Sequence, residues 1–375
     1  MAKKNLAIYI HIPFCKSKCI YCDFLSMAAD ETVRVKYVGV LCNEIKKFPN
    51  ADMYRVCSLF FGGGTPSILD VNLFVLIMDT LRNCFEFDEG CEITVECNPG
   101  TVDAEKLECY GKCGVNRLSF GLQSSDNDEL KFIGRIHTYE EFEESLRLAR
   151  AAGFTNINVD LMSALPGQNV SSWKTTLEKI INLKVPHISA YSLIIEENTP
   201  LYSMYEAGML NLPSEDDERE MYYQTGLLLK KAGLSRYEIS NYAVSGYECR
   251  HNITYWRRGE YAGFGLGAAS LLDGVRISNT SSMKDYLQYN NEKNYERLTV
   301  NDCMAEFMFL GLRMIHGISI TDFEEKFHTG IRTIYGKVID KYVSSGHLEK
   351  EGDIIRLTEK GIDVSNTVFS DFILT

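Results

Sequence analysis

Over the first 200 or so residues, short β-branched or aromatic runs alternate with longer stretches of helical periodicity, and few architectures accept that order. Strands are expected at 6–12, 56–61, 92–97, 115–120, 157–162 and 187–194, several of them ending in Gly, Pro or a polar residue. Helices are expected between them at 31–47, 71–84, 104–112, 139–152 and 171–182, most with apolar residues three and four apart. Alternating units of this kind imply a parallel sheet with right-handed crossovers. Six of them predict an α/β fold built on a partial (β/α)6 TIM-like barrel. A doubly wound open sheet has the same string of elements, so periodicity does not choose between the two.

From about residue 210 the pattern changes. Residues 215–231 read as an amphipathic helix, and a Gly- and Tyr-rich stretch follows from 236 to 270. Within it, 259–267 lacks the placement of a dinucleotide loop and reads as turn-rich. From 301 a small module is expected, with helices at 302–314, 320–327 and 331–345, a hairpin at 347–351 and 354–357 around Gly352-Asp353, and a last helix. Helices followed by a hairpin make this α+β domain winged-helix-like. The chain therefore divides into a barrel at 1–210, a region that closes it at 211–300, and the C-terminal domain at 301–375. Winged helices often bind DNA, but a net charge of −12 favours a packing role and no nucleic-acid partner.

The chain carries twelve cysteines, mostly scattered. Residues 6–12 are too short and polar for a signal peptide, and no stretch reaches the roughly 18 apolar residues of a membrane helix. A reducing cytoplasmic setting without an integral membrane segment is expected, where clustered cysteines point to metal or redox chemistry. One cluster stands out: Cys15-Lys16-Ser17-Lys18-Cys19-Ile20-Tyr21-Cys22, directly after the first strand. Three thiolates there can converge on one metal centre. Structural zinc wants four ligands, usually as two pairs, and the other close pair, Cys109 and Cys113, would make five thiols in all. A [4Fe–4S] cluster held by three cysteines keeps one iron open for a ligand.

The Cys-x3-Cys-x2-Cys spacing, with the aromatic Tyr21 before the last Cys, resembles the radical S-adenosylmethionine (SAM) superfamily. The resemblance implies a [4Fe–4S] cluster on Cys15, Cys19 and Cys22 whose open iron chelates the methionine end of SAM. It also implies a reductant whose electron splits SAM to a 5′-deoxyadenosyl radical.

The strand ends carry a second pattern. Phe61-Gly62-Gly63-Gly64-Thr65-Pro66 follows the second strand, where bare backbone can approach a ligand closely and donate N–H groups. Glu96 ends the third strand, Gln123 the fourth, and Asp160 lies within the fifth. An acid inside such a strand is costly unless it has a partner or a ligand. In βα barrels the C-terminal strand ends host the site.

These stretches, together with Tyr9-Ile10-His11-Ile12-Pro13-Phe14-Cys15, Gly134-Arg135-Ile136-His137 and residues 236–243, resemble the coproporphyrinogen dehydrogenase (HemN) and HemW family over nearly the whole chain. The resemblance implies that Tyr9 and Tyr21 flank the cluster and SAM, and that Gly63, Gly64 and Thr65 line the methionyl end. Glu96 would bind the ribose. Gln123, Arg135 and Asp160 would line the nucleoside and carboxylate surroundings, and the Ile194 backbone would meet the adenine. From the sequence alone, a surface ion pair is the plainer reading of Arg135.

Two departures select a branch. The dehydrogenases have a fourth Cys two positions after the third, where this chain has Phe24, and a longer segment before the triad than the fourteen residues here. Cys-x-x-Cys-Asp-Phe is typical of the haem-chaperone branch. So is His251-Asn252-Ile253-Thr254-Tyr255-Trp256, whose His is implicated in holding haem, making 211–300 the haem or substrate side of the barrel. Imidazole is a natural axial ligand of haem iron. A lone His beside aromatics is, however, more often a hydrogen-bonded structural residue, and Cys249 reads as a buried thiol before a second haem contact. The resemblance thus implies a protein that binds haem or porphyrin as cargo and passes it to recipient haemoproteins. Its rivals are an oxygen-independent coproporphyrinogen III dehydrogenase (an oxidoreductase) and, less favoured by the acidic balance, a radical SAM RNA-modifying enzyme.

Overall fold

The computed structural model describes residues 3–374. Six parallel strands stand side by side in chain order: β1 (Lys4–Ile12), β2 (Tyr54–Gly63), β3 (Glu86–Cys97), β4 (Arg117–Gln123), β5 (Asn156–Ser163) and β6 (His187–Ser192). A doubly wound sheet reverses its order at a switch point. No reversal occurs here, so strand order decides for the partial barrel. Helices α1 (Glu31–Lys46), α2 (Val71–Cys84) and α3 (Ala104–Lys112) cover the first crossovers. The short α4 (Asn127–Phe132) precedes α5 (Tyr139–Ala151) and α6 (Val170–Asn182), and α7 (Pro200–Glu206) follows β6. Asp30, Asp70, Asp103, Thr138 and Asn169 each accept a first-turn N–H and so fix where the long helices begin. Apolar faces of helices and strands share one core, in which Phe74 packs on Phe61 and Tyr110 at ring separations of 4.9 and 4.6 Å.

Some boundaries differ from expectation for local reasons. β4 starts at Arg117 because the Asn116 side chain takes up ladder positions on β3, accepting from Ile93 N and donating to Cys91 O. β6 ends at Ser192, which releases Ile194 from the sheet onto the surface. α4 and α7 are too short to register as periodicity.

The helix α8 (Glu215–Lys231) leads into β7 (Ser235–Arg236) and β8 (Asn241–Ala243), and β8 pairs antiparallel with β6. At the opposite edge, after α9 (Arg250–Trp256), the stretch 259–267 corrects the expectation of a turn-rich segment. Tyr261–Phe264 forms a strand, β9, parallel to β1. Gly263 lets it in: a Cβ there would sit 2.2 Å from the Ala269 carbonyl oxygen. The glycine that close approach demands also erases the alternation that marks a strand. β10 (Ala269–Leu272), β11 (Val275–Ser278) and, after α10 (Met283–Leu287), β12 (Asn294–Arg297) extend this edge antiparallel, completing a twelve-stranded sheet.

The C-terminal module runs α11 (Val300–Gly311), β13 (Ile318–Ser319), α12 (Ile320–Phe327), α13 (Ile331–Ser344), β14 (Leu348–Glu351) and β15 (Ile354–Leu357), the winged-helix-like order. Two short helices, α14 (Glu359–Asp363) and α15 (Ser365–Ser370), end it where one was expected. Its apolar cluster, including Phe323, Tyr335 and Phe372, is separate from the barrel core. No helix among the described residues is long and apolar enough to cross a membrane.

Candidate functional site

The cysteine loop hangs from the end of β1 and is tied at its neck by Cys15 N to Met27 O (3.0 Å) and Met27 N to Pro13 O (2.8 Å). Its crown is held by Ile20 N donating to Ile133 O (3.2 Å) and by Leu201 N donating to Ile20 O (2.9 Å). Cys15, Cys19 and Cys22 are free, half-buried thiols lining a cavity of about 500 Å³. Burial pushes the Cys19 and Cys22 thiols up, against the pull of the Arg135 charge on Cys19. Among the described residues no three His, Cys, Asp or Glu side chains close on one point as ligands of a single ion. Cys15, Cys19 and Cys22 still lie close enough for their charges to act on one another.

The glycines at the end of β2 fit that arrangement. At Gly63, with φ of +113°, a Cβ would lie 2.5 Å from the His11 ring, and at Gly64 one would lie 3.0 Å from Cys15 Sγ. Bare backbone is therefore what lets the cysteine loop rest on the strand end. The expectation that these N–H groups face a ligand is corrected: Gly63 N donates to Glu96 Oε2 (3.2 Å), Gly64 N to Ile12 O and Thr65 N to Phe14 O. The last two extend the β1–β2 pairing past the strands, leaving close approach as what the glycines offer.

Arg135 is a half-buried hub and not a surface ion pair. It donates to Asn98 Oδ1 (2.9 Å) and to the Tyr21 hydroxyl (2.6 Å), and its Nε has no partner. Asn98 donates in turn to Thr65 Oγ1 (2.8 Å), which donates to Cys15 Sγ (3.6 Å). The strand ends and cysteine loop are thus one hydrogen-bonded unit. Gln123 ends β4 in the left-handed region, with φ of +74°, and lines the same cavity, as does the exposed Ile194.

Glu96 and Asp160 form the floor. Burial, then the neighbouring Asp160, pushes the Glu96 carboxyl up to about 8, with the Gly63 N–H holding it down in part. Burial also raises Asp160, while Asn158 (2.8 Å) and Ser119 (3.2 Å) donate to it and favour the ionised form. Glu96, Ser119, Asp160 and Tyr191 line this cavity and also a second one, of about 650 Å³, inside the barrel. Tyr9 belongs to the second, bonded through its hydroxyl to His11 Nδ1 (3.1 Å), so the two tyrosines expected to flank one site are divided between two.

His251 also faces the second cavity. It sits in the first turn of α9, whose N–H groups at Arg250 and His251 donate to the buried Glu92 of β3 (3.2 and 3.1 Å), a carboxylate at a helix N-terminus. Its ring stacks on Phe60 at 5.1 Å. Burial, helped by the Arg117 charge, lowers its pKa to about 3, so the imidazole is neutral. Both nitrogens are engaged: Nδ1 with Ser58 Oγ (3.0 Å) and Nε2 with the Tyr255 hydroxyl (2.8 Å). Iron at Nε2 would have to displace Tyr255. Cys249 is fully buried beside Glu92, its thiol pushed up to about 12, and lines neither cavity.

Asn98, Glu92, Arg117 and Tyr191 are site residues that the sequence patterns do not mark. The signal that could find Glu92 and Arg117 is the one Asp160 gives, a charge within a buried strand.

Residues 9–180 match the model of the radical SAM superfamily, and 298–364 that of the HemN C-terminal domain. The chain is 37% identical to the heme chaperone HemW of Lactococcus lactis, over 100% of this chain and 99% of that one. It is 35% identical to the heme chaperone HemW of Bacillus subtilis, over 97% and 98%, and 34% to that of Escherichia coli, over 98% of each. In structure it is similar to the E. coli coproporphyrinogen III oxidase HemN, a radical SAM enzyme, with a TM-score of 0.86 over 99% of this chain and 90% of that one. At 22% identity that likeness speaks for the fold.

Proposed function

The chain belongs to the HemW family of the radical SAM superfamily, and from that premise we propose that it is a haem chaperone, binding haem and delivering it to recipient haemoproteins in the cytoplasm. Membership of the superfamily implies a [4Fe–4S] cluster and SAM, which supply radical chemistry when bound and need a reductant. In this reading Cys15, Cys19 and Cys22 hold the cluster, and the unit of Thr65, Asn98, Arg135 and Tyr21 keeps the loop in register with the strand ends. Gly63, Gly64 and Thr65 lie along the methionyl end. Glu96 accepts the ribose hydroxyls, which reward its ionised form. Gln123, Arg135, Asp160 and the Ile194 backbone border the remainder. The lining of one cavity by all of these and the three thiols supports the assignment. Twelve free cysteines suit a reducing compartment. We assign 1–210 to the barrel, 211–300 to the region that completes it and carries His251, and 301–375 to the C-terminal domain.

The observation that carries the haem reading is a neutral His251, stacked on Phe60, facing a cavity that joins the cysteine-lined one through Glu96 and Asp160. Neutral imidazole is the form that ligates iron. Anaerobic haem titration of the cluster- and SAM-loaded protein is the test. One haem per chain is expected, followed by transfer to an apo-haemoprotein, and His251→Ala should weaken binding and change the Soret band. Conversion of coproporphyrinogen III to protoporphyrinogen IX under the same conditions would replace the chaperone with the dehydrogenase.

A further inference from the structure

The barrel interior holds one charge whose hydrogen bonding the fold leaves incomplete. Arg117 opens β4, is 2% exposed, and lines the 650 Å³ cavity. Its Nε has no hydrogen-bond partner. Three carboxylates are close enough for their charge to reach it, Glu92, Asp160 and Glu96, and all are committed elsewhere, Glu96 to the Gly63 N–H. Glu92 accepts from the first N–H groups of α9, and Asp160 from Ser119 and Asn158. They balance the charge of the guanidinium without completing its hydrogen bonds. A buried donor left this way is costly, and the planar fork of an arginine matches a carboxylate on two N–H groups.

The walls indicate what the carboxylate would be attached to. Tyr9, Phe60, His251 and Tyr255 give the cavity its aromatic surface, while Arg117 is its unpartnered donor, the hydroxyls of Ser119 and Ser189 already donating to Asp160 and Asn158. Arg258 and Arg276, nearer the C-terminal module, line the same cavity and share a single carboxylate, that of Glu306. A flat apolar body with a carboxylate at one edge suits this division. We propose that Arg117 is an anion subsite that receives a propionate carboxylate of the bound tetrapyrrole, an inference that rests on the haem reading above.

The experiment is an anaerobic titration, followed at the Soret band, of the cluster- and SAM-loaded protein with haem and with haem dimethyl ester. Wild type, Arg117→Met and Arg117→Lys are compared. Wild type should prefer haem over the diester by about tenfold or more, the worth of a charge-assisted hydrogen bond. Arg117→Met should bring that preference, read as the ratio of the two affinities within the one variant, to within about threefold. Arg117→Lys keeps the buried charge and serves where the Met variant fails to fold. It should retain a preference weakened several-fold, because a point charge replaces the fork. An equal affinity of wild type for both ligands would overturn the inference alone, as would an undiminished preference in the variants. Failure of wild type to bind either ligand would instead remove the haem reading, and Arg117 with it.

Discussion

The two cavities share a floor but are made of different material. The cysteine-lined one is built of main chain and short polar links: Gly63 and Gly64 under the loop, then Thr65, Asn98, Arg135 and Tyr21 in sequence. The barrel cavity is built of side chains, aromatic on one wall, and its key helix is held by a single acid, Glu92, across more than 150 residues of chain. The first is a property of loops at strand ends and the second of long-range packing. Damage to one should therefore leave the other largely intact.

The sharpest way to break that independence is to remove a thiol. Replacing Cys15, Cys19 or Cys22 by Ala should abolish the cluster, read as loss of its visible absorbance and its paramagnetic signal on reduction. Haem affinity should stay within a few-fold of wild type, because no cysteine lines the barrel cavity. A variant that lost both would show that the shared floor couples the two sites.

Glu96 belongs to both cavities, so its titration tests the floor itself. In the cofactor-free folded protein it keeps its proton up to about pH 8, whereas the unfolded chain releases it near 4.5. Between those values the folded state binds the extra proton, so stability falls as pH rises, by on the order of 4 kcal/mol across the window. Glu96→Gln should flatten most of that slope in urea unfolding measured at several pH values. The raised Asp160 supplies a remainder of the same sign. An unchanged slope would mean that the carboxyl is not buried as described.

Glu92→Ala sharpens the comparison from the other side. It leaves the N–H groups of Arg250 and His251 without their acceptor and Arg117 without one of its counter-charges. A loss of about 3 kcal/mol is expected in chemical denaturation. Haem affinity should fall with it while SAM affinity holds.

The same division explains what the sequence made legible. Cysteine spacing, the Gly63–Thr65 run, Glu96, Gln123 and Asp160 are local signals at strand ends, and the structure brings them to one cavity. The six β/α units were readable because buried parallel strands and capped amphipathic helices each leave a periodic trace. β9 was not, since Gly263 is required by contact with Ala269 and breaks the pattern that would announce it. Nor was the setting of His251 readable. Its motif names the residue, but Ser58, Phe60 and Glu92 reach it from strands far back in the chain, and no local period encodes that meeting.

The smallest expected effect is the most telling about the barrel cavity. Tyr255 donates to or accepts from His251 Nε2 at 2.8 Å, so an iron atom arriving at that nitrogen must first open a half-buried hydrogen bond. Tyr255→Phe removes the bond while keeping the ring that packs edge-on against Tyr261 at 4.6 Å. If His251 ligates through Nε2, haem should bind the Phe variant more tightly by about fivefold, near 1 kcal/mol, the net worth of one hydrogen bond. The opposite sign from His251→Ala is the point. A Tyr255→Phe variant that bound haem more weakly would make the tyrosine hydroxyl a contact of the cargo and leave His251 a neutral structural residue beneath it, stacked on Phe60 and bonded to Ser58.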